Sequence, residues 1–326
     1  MKIIFDAAGG DNAPLEIVKG AIKARNELDI EVVLIGEENK IKNTLESLDE
    51  TLNNYEIINT VDNISNEDEP AKAVMTKRES SIVVGLNKLA NKEADAFLSA
   101  GNTGALLAGG MFFVKRIEGI MRSPIVTSIP VLNSNTLFLD SGANVDCTAE
   151  MLLQFAIMGT TYLESVYGIN NPKVGLLNIG SEPGKGNSLT KESFELLKNS
   201  DHINFFGNIE ARDVPFGIVD IVITDGFAGN VFLKAYEGTA MMLKKVMIEN
   251  IQSEENEDIR NNSKIFLKKS FEQFDYESVG GAPLLGLNMP VFKAHGSSDA
   301  RAIFNGVKQI VDFINNDAIE KLKKYL

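Results

Sequence analysis

The sequence predicts an α/β fold, a mostly parallel sheet flanked by helices, and two observations lead there. Short apolar runs recur along the 326 residues, each closing in a loop rich in Gly, Asn, Ser and Asp. Each loop then feeds a stretch with helical periodicity, and strands alternating with helices pair in parallel under helices on both faces. In such sheets ligands gather beyond the carboxyl ends of the strands, which is where these loops fall.

The first unit is the apolar run 2–6, ending in the loop 7–14. Ile17, Ala21, Ala24 and Leu28 then share one helix face. Residues 31–36 read as a buried strand, 40–48 as a helix and 56–60 as a further strand. Residues 94–99 lead into Ser99-Ala100-Gly101-Asn102-Thr103-Gly104, and Ala105 continues as a helix. Residues 174–180 form a strand, 181–188 a polar loop and 190–197 a helix. The strand 219–224 runs into Asp225-Gly226-Phe227-Ala228-Gly229-Asn230. Residues 239–274 break the alternation with a helical hairpin whose acidic turn is 253–258. Val291-Phe292 is a last short strand. We expect a single α/β unit of two intertwined lobes, residues 1–118 with 285–326, and residues 119–284.

Composition narrows the function. The chain is 44% hydrophobic and 24% charged, ordinary for a globular protein. The start carries no secretory pattern, and no apolar run reaches the roughly 18 residues of a membrane span. One cysteine, Cys147, excludes an intrachain disulfide and any two-cysteine metal site, and suits a reducing, cytoplasmic setting. A formal charge of −13 argues against a nucleic-acid partner. It does not argue against a small anion, which local N–H dipoles and one or two cations can hold.

The loop 99–104 is the sharpest local signal. Gly101 and Gly104 let backbone approach a ligand, the helix start near Thr103 offers free N–H groups, and Asn102 and Thr103 add side-chain donors. The plainer alternative is a tight turn in which Asn102 or Thr103 caps the helix. Neither this loop nor Gly180-Ser181-Glu182-Pro183-Gly184-Lys185-Gly186-Asn187 fits a nucleotide-binding motif, though Lys185 could be a mobile cation over a phosphate or a solvated loop lysine. Asp6 and Asp11 flank the turn Gly9-Gly10 without a third metal ligand, so they are read as ordering a strand-end loop; neither a metal nor a cofactor is expected. His295, followed by Gly296-Ser297-Ser298-Asp299, offers a second anion nest or a hydrogen-bonded structural histidine. Cys147 is read as structural, and no nucleophile elbow or Ser-His-Asp set is present.

Taken in order, these segments resemble the phosphate acyltransferase (PlsX) family. The resemblance runs through Asp6-Ala7-Ala8-Gly9-Gly10-Asp11, Glu69-Pro70-Ala71-Lys72-Ala73, Ser80-Ser81 and the loop 99–104. It continues through Asp140-Ser141-Gly142-Ala143-Asn144-Val145-Asp146, Gly175-Leu176-Leu177-Asn178-Ile179-Gly180, Lys185-Gly186-Asn187 and Asp225-Gly226-Phe227-Ala228-Gly229-Asn230. Gly280-Gly281-Ala282-Pro283-Leu284-Leu285-Gly286 and His295-Gly296-Ser297-Ser298-Asp299 close it. Each motif is weak alone; their order along nearly the whole chain is specific. The resemblance implies a fold similar to phosphotransacetylases and to the isocitrate/isopropylmalate dehydrogenases. It also implies reversible transfer of a fatty acyl group from acyl-acyl-carrier protein to inorganic phosphate, with a homodimeric enzyme feeding a glycerol-3-phosphate acyltransferase in phospholipid synthesis. One departure stands out: the family commonly has Gly-Gly-Asp-His where this chain has Gly9-Gly10-Asp11-Asn12.

On this reading the loop 99–104, with Ser99, Gly101, Asn102, Thr103 and Gly104, joins Ser297 and Lys185 in holding phosphate. Asn230 and His295 are the candidate oxyanion donors, and Lys185 is the candidate catalytic cation. Asp6, Gly9, Gly10, Asp11, Lys72, Asn144, Asp146, Gly186, Asn187 and Asp225 form supporting loops. In the hairpin, apolar residues such as Met247 and Phe266 suit a dimer interface or a tip that touches a membrane surface. An acidic carrier protein would need a local basic patch, either the hairpin lysines Lys244, Lys245, Lys264, Lys268 and Lys269 or Lys321, Lys323 and Lys324. The competing readings are a nicotinamide-dependent hydroxy-acid dehydrogenase, since His295-Gly296-Ser297 is similar to a cofactor-contacting loop there, and a non-catalytic phosphate- or acyl-binding scaffold.

Overall fold

The computed structural model describes residues 1–65, 67–272 and 280–325. Two sheets share the chain. The first has six strands. Its centre is β1 (Lys2–Asp6), paired in parallel on one side with β2 (Glu31–Gly36) and beyond it β3 (Glu56–Asn59). On the other side lies β4 (Ala96–Ser99). The chain returns to this sheet late, through β10 (Ala282–Pro283) and β11 (Val291–Lys293), and β11 pairs in parallel with β4. The second sheet has five strands, ordered β5 (Thr127–Val131), β6 (Ser134–Leu139), β9 (Ile221–Ile223), β7 (Lys173–Asn178) and β8 (Asn204–Glu210). All its pairings are parallel except the β5–β6 hairpin.

Continuous apolar runs form these strands because both faces of a parallel sheet are covered. Alternation sorts the side chains: Ile3, Phe5, Val32, Leu34, Ala96 and Leu98 join one cluster, while Ile4, Val33, Ile35 and Phe97 join another. The first cluster is covered by α1 (Leu15–Leu28) and α10 (Ala300–Asn315), which pack on each other. The second lies under α4 (Ser81–Ala90) and α5 (Thr103–Gly109), with α3 (Pro70–Thr76) against α5. On the outer flank α2 (Glu38–Ser47) packs on β2 and β3.

The first cluster runs on without a break into the second sheet, through Leu139, Phe155, Leu176 and Ile221. There α6 (Ala149–Tyr162) packs against α7 (Ser188–Lys198) and the C-terminal α11 (Ala318–Tyr325). The opposite face of that sheet holds Ile129, Phe138 and Val222 against Leu233. Leu233 belongs to α8 (Gly226–Gln252), which with α9 (Glu257–Glu272) makes the helical hairpin. The hairpin therefore starts at Gly226, not at residue 239 as the sequence suggested. Asp225 caps α8 by accepting from the Ala228 amide at 2.7 Å, so the glycine-containing motif after β9 is the first turn of a helix. The expected end of the hairpin, residues 273 and 274, lies outside the described residues.

Candidate active site

Strand register builds the base of the site. Asp6 on β1 and Lys293 on β11 both pair with Ser99 on β4, so three polar residues stand side by side where three parallel strands end. Asp6 is fully buried, and its Oδ2 accepts from the Ser99 hydroxyl at 2.6 Å. The Ser99 Oγ in turn accepts from the Gly101 amide at 3.0 Å, and Asp6 Oδ1 accepts from the Ala8 amide at 3.2 Å. Burial pushes the Asp6 carboxyl above its ordinary range, with hydrogen bonds from Ser99 and the Ala8 amide opposing. Lys293 reaches into the same place. Its Nζ donates to the Ala100 carbonyl at 3.2 Å and to the Ala294 carbonyl. Burial lowers its pKa to about 8, against the opposing pull of Asp6 and Asp11.

Three loops close over this base. Gly9 lies so close to the loop 99–104 that a Cβ there would sit 2.7 Å from the Gly101 amide nitrogen. Beyond the left-handed Gly10, the Asp11 amide donates to the Gly296 carbonyl at 2.7 Å. The Asn12 side chain donates to the Ser297 carbonyl at 3.2 Å and so staples the first loop to the third. In that third loop the Ser297 amide donates to His295 Nδ1 at 3.3 Å, with the Ser297 hydroxyl 2.8 Å from the same nitrogen. A ring accepting at Nδ1 carries its neutral-form proton on Nε2. Both His295 and Ser297 are exposed.

The second loop launches α5. Asn102 is its N-cap: Oδ1 accepts from the Ala105 amide at 2.8 Å while Nδ2 donates to the Ser65 carbonyl at 2.9 Å. Its side chain is thus spent on shaping the loop. The amides of Thr103 and Gly104, at the head of α5, have no intrahelical acceptor. Lys72 lies on α3, exposed, where α3 packs on α5.

At the ends of the second sheet the same construction recurs. Asp140, buried beyond β6, accepts from the amides of Ile125, Gly142, Ala143 and Asn144 and from Asn144 Nδ2. The Asn144 carbonyl accepts from the Gly226 amide at 2.7 Å, and a Cβ on Gly226 would collide with that carbonyl. Asn230, one turn into α8, donates to the Ser141 carbonyl at 3.1 Å and stays exposed. Asp146 is exposed. Cys147 donates to the Asn144 carbonyl, and burial together with Asp140 pushes its thiol up to about 12, which leaves it no nucleophile. Beyond β7, Asn178 Nδ2 donates to the Lys185 carbonyl, Gly186 is left-handed and Asn187 caps α7. The Lys185 side chain is exposed.

The structure therefore gathers Asp6, Gly9, Gly10, Asp11, Ser99, Gly101, Asn102, His295 and Ser297 in one loop cluster. Asn144, Asp225 and Asn230 form a second cluster, and Lys185, Gly186 and Asn187 a third. Ala143 packs against the core cluster that also holds Ala105 and Leu106 of α5. Sequence reasoning passed over two residues. Asp140 organises the whole 140–144 loop, and Lys293 lies beneath the first cluster. The available signal for Lys293 was a single lysine closing a strand that is otherwise apolar. Among the described residues no group of three or more His, Cys, Asp or Glu side chains is placed to hold a metal.

Comparison with known proteins bears on the family and the fold. The model of a family described as fatty acid synthesis protein matches residues 1–321. The phosphate acyltransferase of Geobacillus sp. is 48% identical over 330 residues, covering 99% of this chain and 98% of that protein. The phosphate acyltransferase of Caldanaerobacter subterraneus subsp. tengcongensis is 44% identical over 328 residues, covering 99% and 97%. Among solved structures, a phosphotransacetylase from Streptococcus pyogenes superposes with a TM-score of 0.66 at 19% identity, covering 98% of this chain and 94% of that one. A branched-chain phosphotransacylase from Enterococcus faecalis gives 0.60 at 16% identity, covering 96% and 98%. These two show that the fold is shared with phosphotransacetylases.

Proposed function

The chain belongs to the phosphate acyltransferase family, and from that premise we propose that it transfers a fatty acyl group from acyl-acyl-carrier protein to inorganic phosphate by direct attack of phosphate on the thioester. The observation that carries this reading is the meeting of three strand-end loops around Ala100 and Gly101, just ahead of α5, in a protein whose one thiol is held protonated. At neutral pH phosphate is already an anionic nucleophile, and the leaving thiol has an ordinary pKa of roughly 8.5, so little proton transfer is required. Catalysis then consists of holding phosphate beside the thioester carbonyl and stabilising the oxyanion that develops. The loop 99–104 seats the phosphate, with Lys185 reaching over it. Asn230, through the N–H it does not give to Ser141, and His295, through Nε2–H, serve the oxyanion. Asn12 costs this scheme nothing, because no general base is needed at that position.

The dehydrogenase reading gives way to the family assignment, and so does a scaffold without turnover. The enzyme works as a homodimer through the α8–α9 hairpin, whose exposed apolar side chains also meet the membrane surface where acyl phosphate is used by a glycerol-3-phosphate acyltransferase. Support comes from Met241, Ile265 and Phe266, each more than two-thirds exposed. No helix among the described residues is long and apolar enough to cross a membrane. Incubating the protein with acyl-acyl-carrier protein and phosphate should release acyl phosphate and free carrier protein in equal amounts. Carrier release without acyl phosphate would contradict the assignment. Asn102→Ala and Lys185→Ala should each impair phosphate use, and unchanged phosphate KM and turnover in both would remove these residues from the site.

A further inference from the structure

Lys293 is the cation at the base of the loop cluster, and the proposed transfer assigns it no role. Its place is unusual. A lysine ammonium is rarely taken out of water without a compensating partner. Here two backbone carbonyls accept from it, and one of them, Ala100, belongs to the phosphate loop itself. The residue reaches that carbonyl because β11 and β4 are in register at Lys293 and Ser99. The charged groups facing it are Asp6 at the end of β1 and Asp11 in the loop beyond; β4 contributes the uncharged Ser99, and His295 follows on its own segment.

That arrangement creates an electrostatic problem for an anion site. A buried carboxylate stands directly under the loop, hydrogen-bonded to the serine that shapes it. Left alone, Asp6 would repel an incoming phosphate dianion, and the repulsion would be weakly screened in a buried place. We propose that Lys293 is a positioning residue for phosphate: it tethers the Ala100 carbonyl to fix the 99–104 loop, and its charge offsets Asp6 so that the loop accepts an anion. Lys293 acts through the loop and not on the reacting atoms. The inference rests on the reading of loop 99–104 as the phosphate seat.

Steady-state kinetics on the full chain test it, with phosphate and acyl-acyl-carrier protein varied separately from slightly acidic to alkaline pH. Lys293→Met keeps the length of the side chain and removes both donors and the charge. The expected result is a rise of about tenfold or more in phosphate KM, with kcat and the KM for the acyl donor little changed. In the unaltered protein kcat/KM for phosphate should fall along an alkaline limb near pH 8, where phosphate is already mostly dianionic and its own titration is not the cause. That limb should be absent from kcat/KM for the acyl donor and lost in Lys293→Met. Asp6→Asn removes a carboxylate that holds the ammonium charged, so the limb should move to lower pH. An unchanged phosphate KM in Lys293→Met, or an equal rise for both substrates, overturns the inference. If Lys293→Met does not fold, an alkaline limb that stays in place in Asp6→Asn overturns it equally. Asn102→Ala separates the two levels. A raised phosphate KM there beside an unchanged one in Lys293→Met sinks the role of Lys293 alone, whereas no effect in either sinks the phosphate seat itself.

Discussion

The loop cluster and the α8–α9 hairpin are opposite uses of the same material. In the cluster, polar groups are turned inward and joined to one another: Asp6 to Ser99, Ser99 to Gly101, Lys293 to Ala100, Asn12 to Ser297. In the hairpin, apolar groups are turned outward. Of the 27 residues of α8 only Gly226, Gly229 and Leu233 are buried, all in its first turns, while Met241, Met242, Leu243, Val246 and Met247 are exposed. Burial of polar groups fixes positions to within a hydrogen bond, which is what seating an anion for attack on a carbonyl carbon requires. Exposure of apolar groups leaves free energy to be gained from a partner, which is what assembly requires. Chemistry and association thus fall, on the proposed reading, to different parts of the chain, and the hairpin's long helix begins beside the 140–144 loop, at Asp225 and Asn230.

If that division is right, substitutions in the two regions should differ in kind. The largest effect is expected from Lys185→Ala, whose lost cation should lower kcat/KM by roughly a hundredfold. Asn102→Ala should act next, raising phosphate KM severalfold and costing about 1 kcal/mol of stability, the usual cost of a lost helix N-cap; a denaturation midpoint reads the second part. A subtler mark concerns Lys293. Its folded-state pKa of about 8 lies below the ordinary 10.5, so between those values the unfolded chain binds more protons. Stability from this group is therefore smallest below pH 8 and rises with pH through that window. Melting curves should show this rise in the unaltered protein relative to Lys293→Met. The smallest catalytic effect belongs to Met247→Ser with Phe266→Ser, which should leave kcat within about twofold and stability within about 0.5 kcal/mol, since both residues are exposed. Liposome flotation and sedimentation should change instead. A fall in kcat as large as that of Lys185→Ala would erase the distinction between the regions.

How much of this was readable in advance follows from where the information lies. The strands of the first sheet announce themselves because both faces are covered, so Ile3-Ile4-Phe5 and Val32-Val33-Leu34-Ile35 are unbroken apolar runs. The helix α6 went unread for a related reason: Phe155, Ala156, Ile157, Met158, Gly159, Thr160, Thr161 and Tyr162 are all buried, so it lacks the polar face that marks a helix by periodicity. The start of α8 was misplaced because Gly226 and Gly229 look like loop residues. They are glycines for close approach to the 140–144 loop, not for a turn. In the candidate site, the motifs around Ser99, Asn230 and His295 were visible as loops of small polar residues. The part played by Lys293 was not, because it depends on the pairing of β4 with β11, strands that are distant in sequence. Likewise nothing local showed that the Asn102 side chain would be committed to Ala105 and Ser65.

The central claim is that phosphate itself is the nucleophile and that no acyl group rests on the protein. Labelled carrier protein mixed with unlabelled acyl-acyl-carrier protein and the enzyme, without phosphate, addresses it directly. Direct attack leaves no route for the acyl group to move between carriers, so label should enter the acylated pool only once phosphate is added and the reaction runs in both directions. Rapid exchange in the absence of phosphate would mean an acyl-enzyme intermediate and would contradict the account.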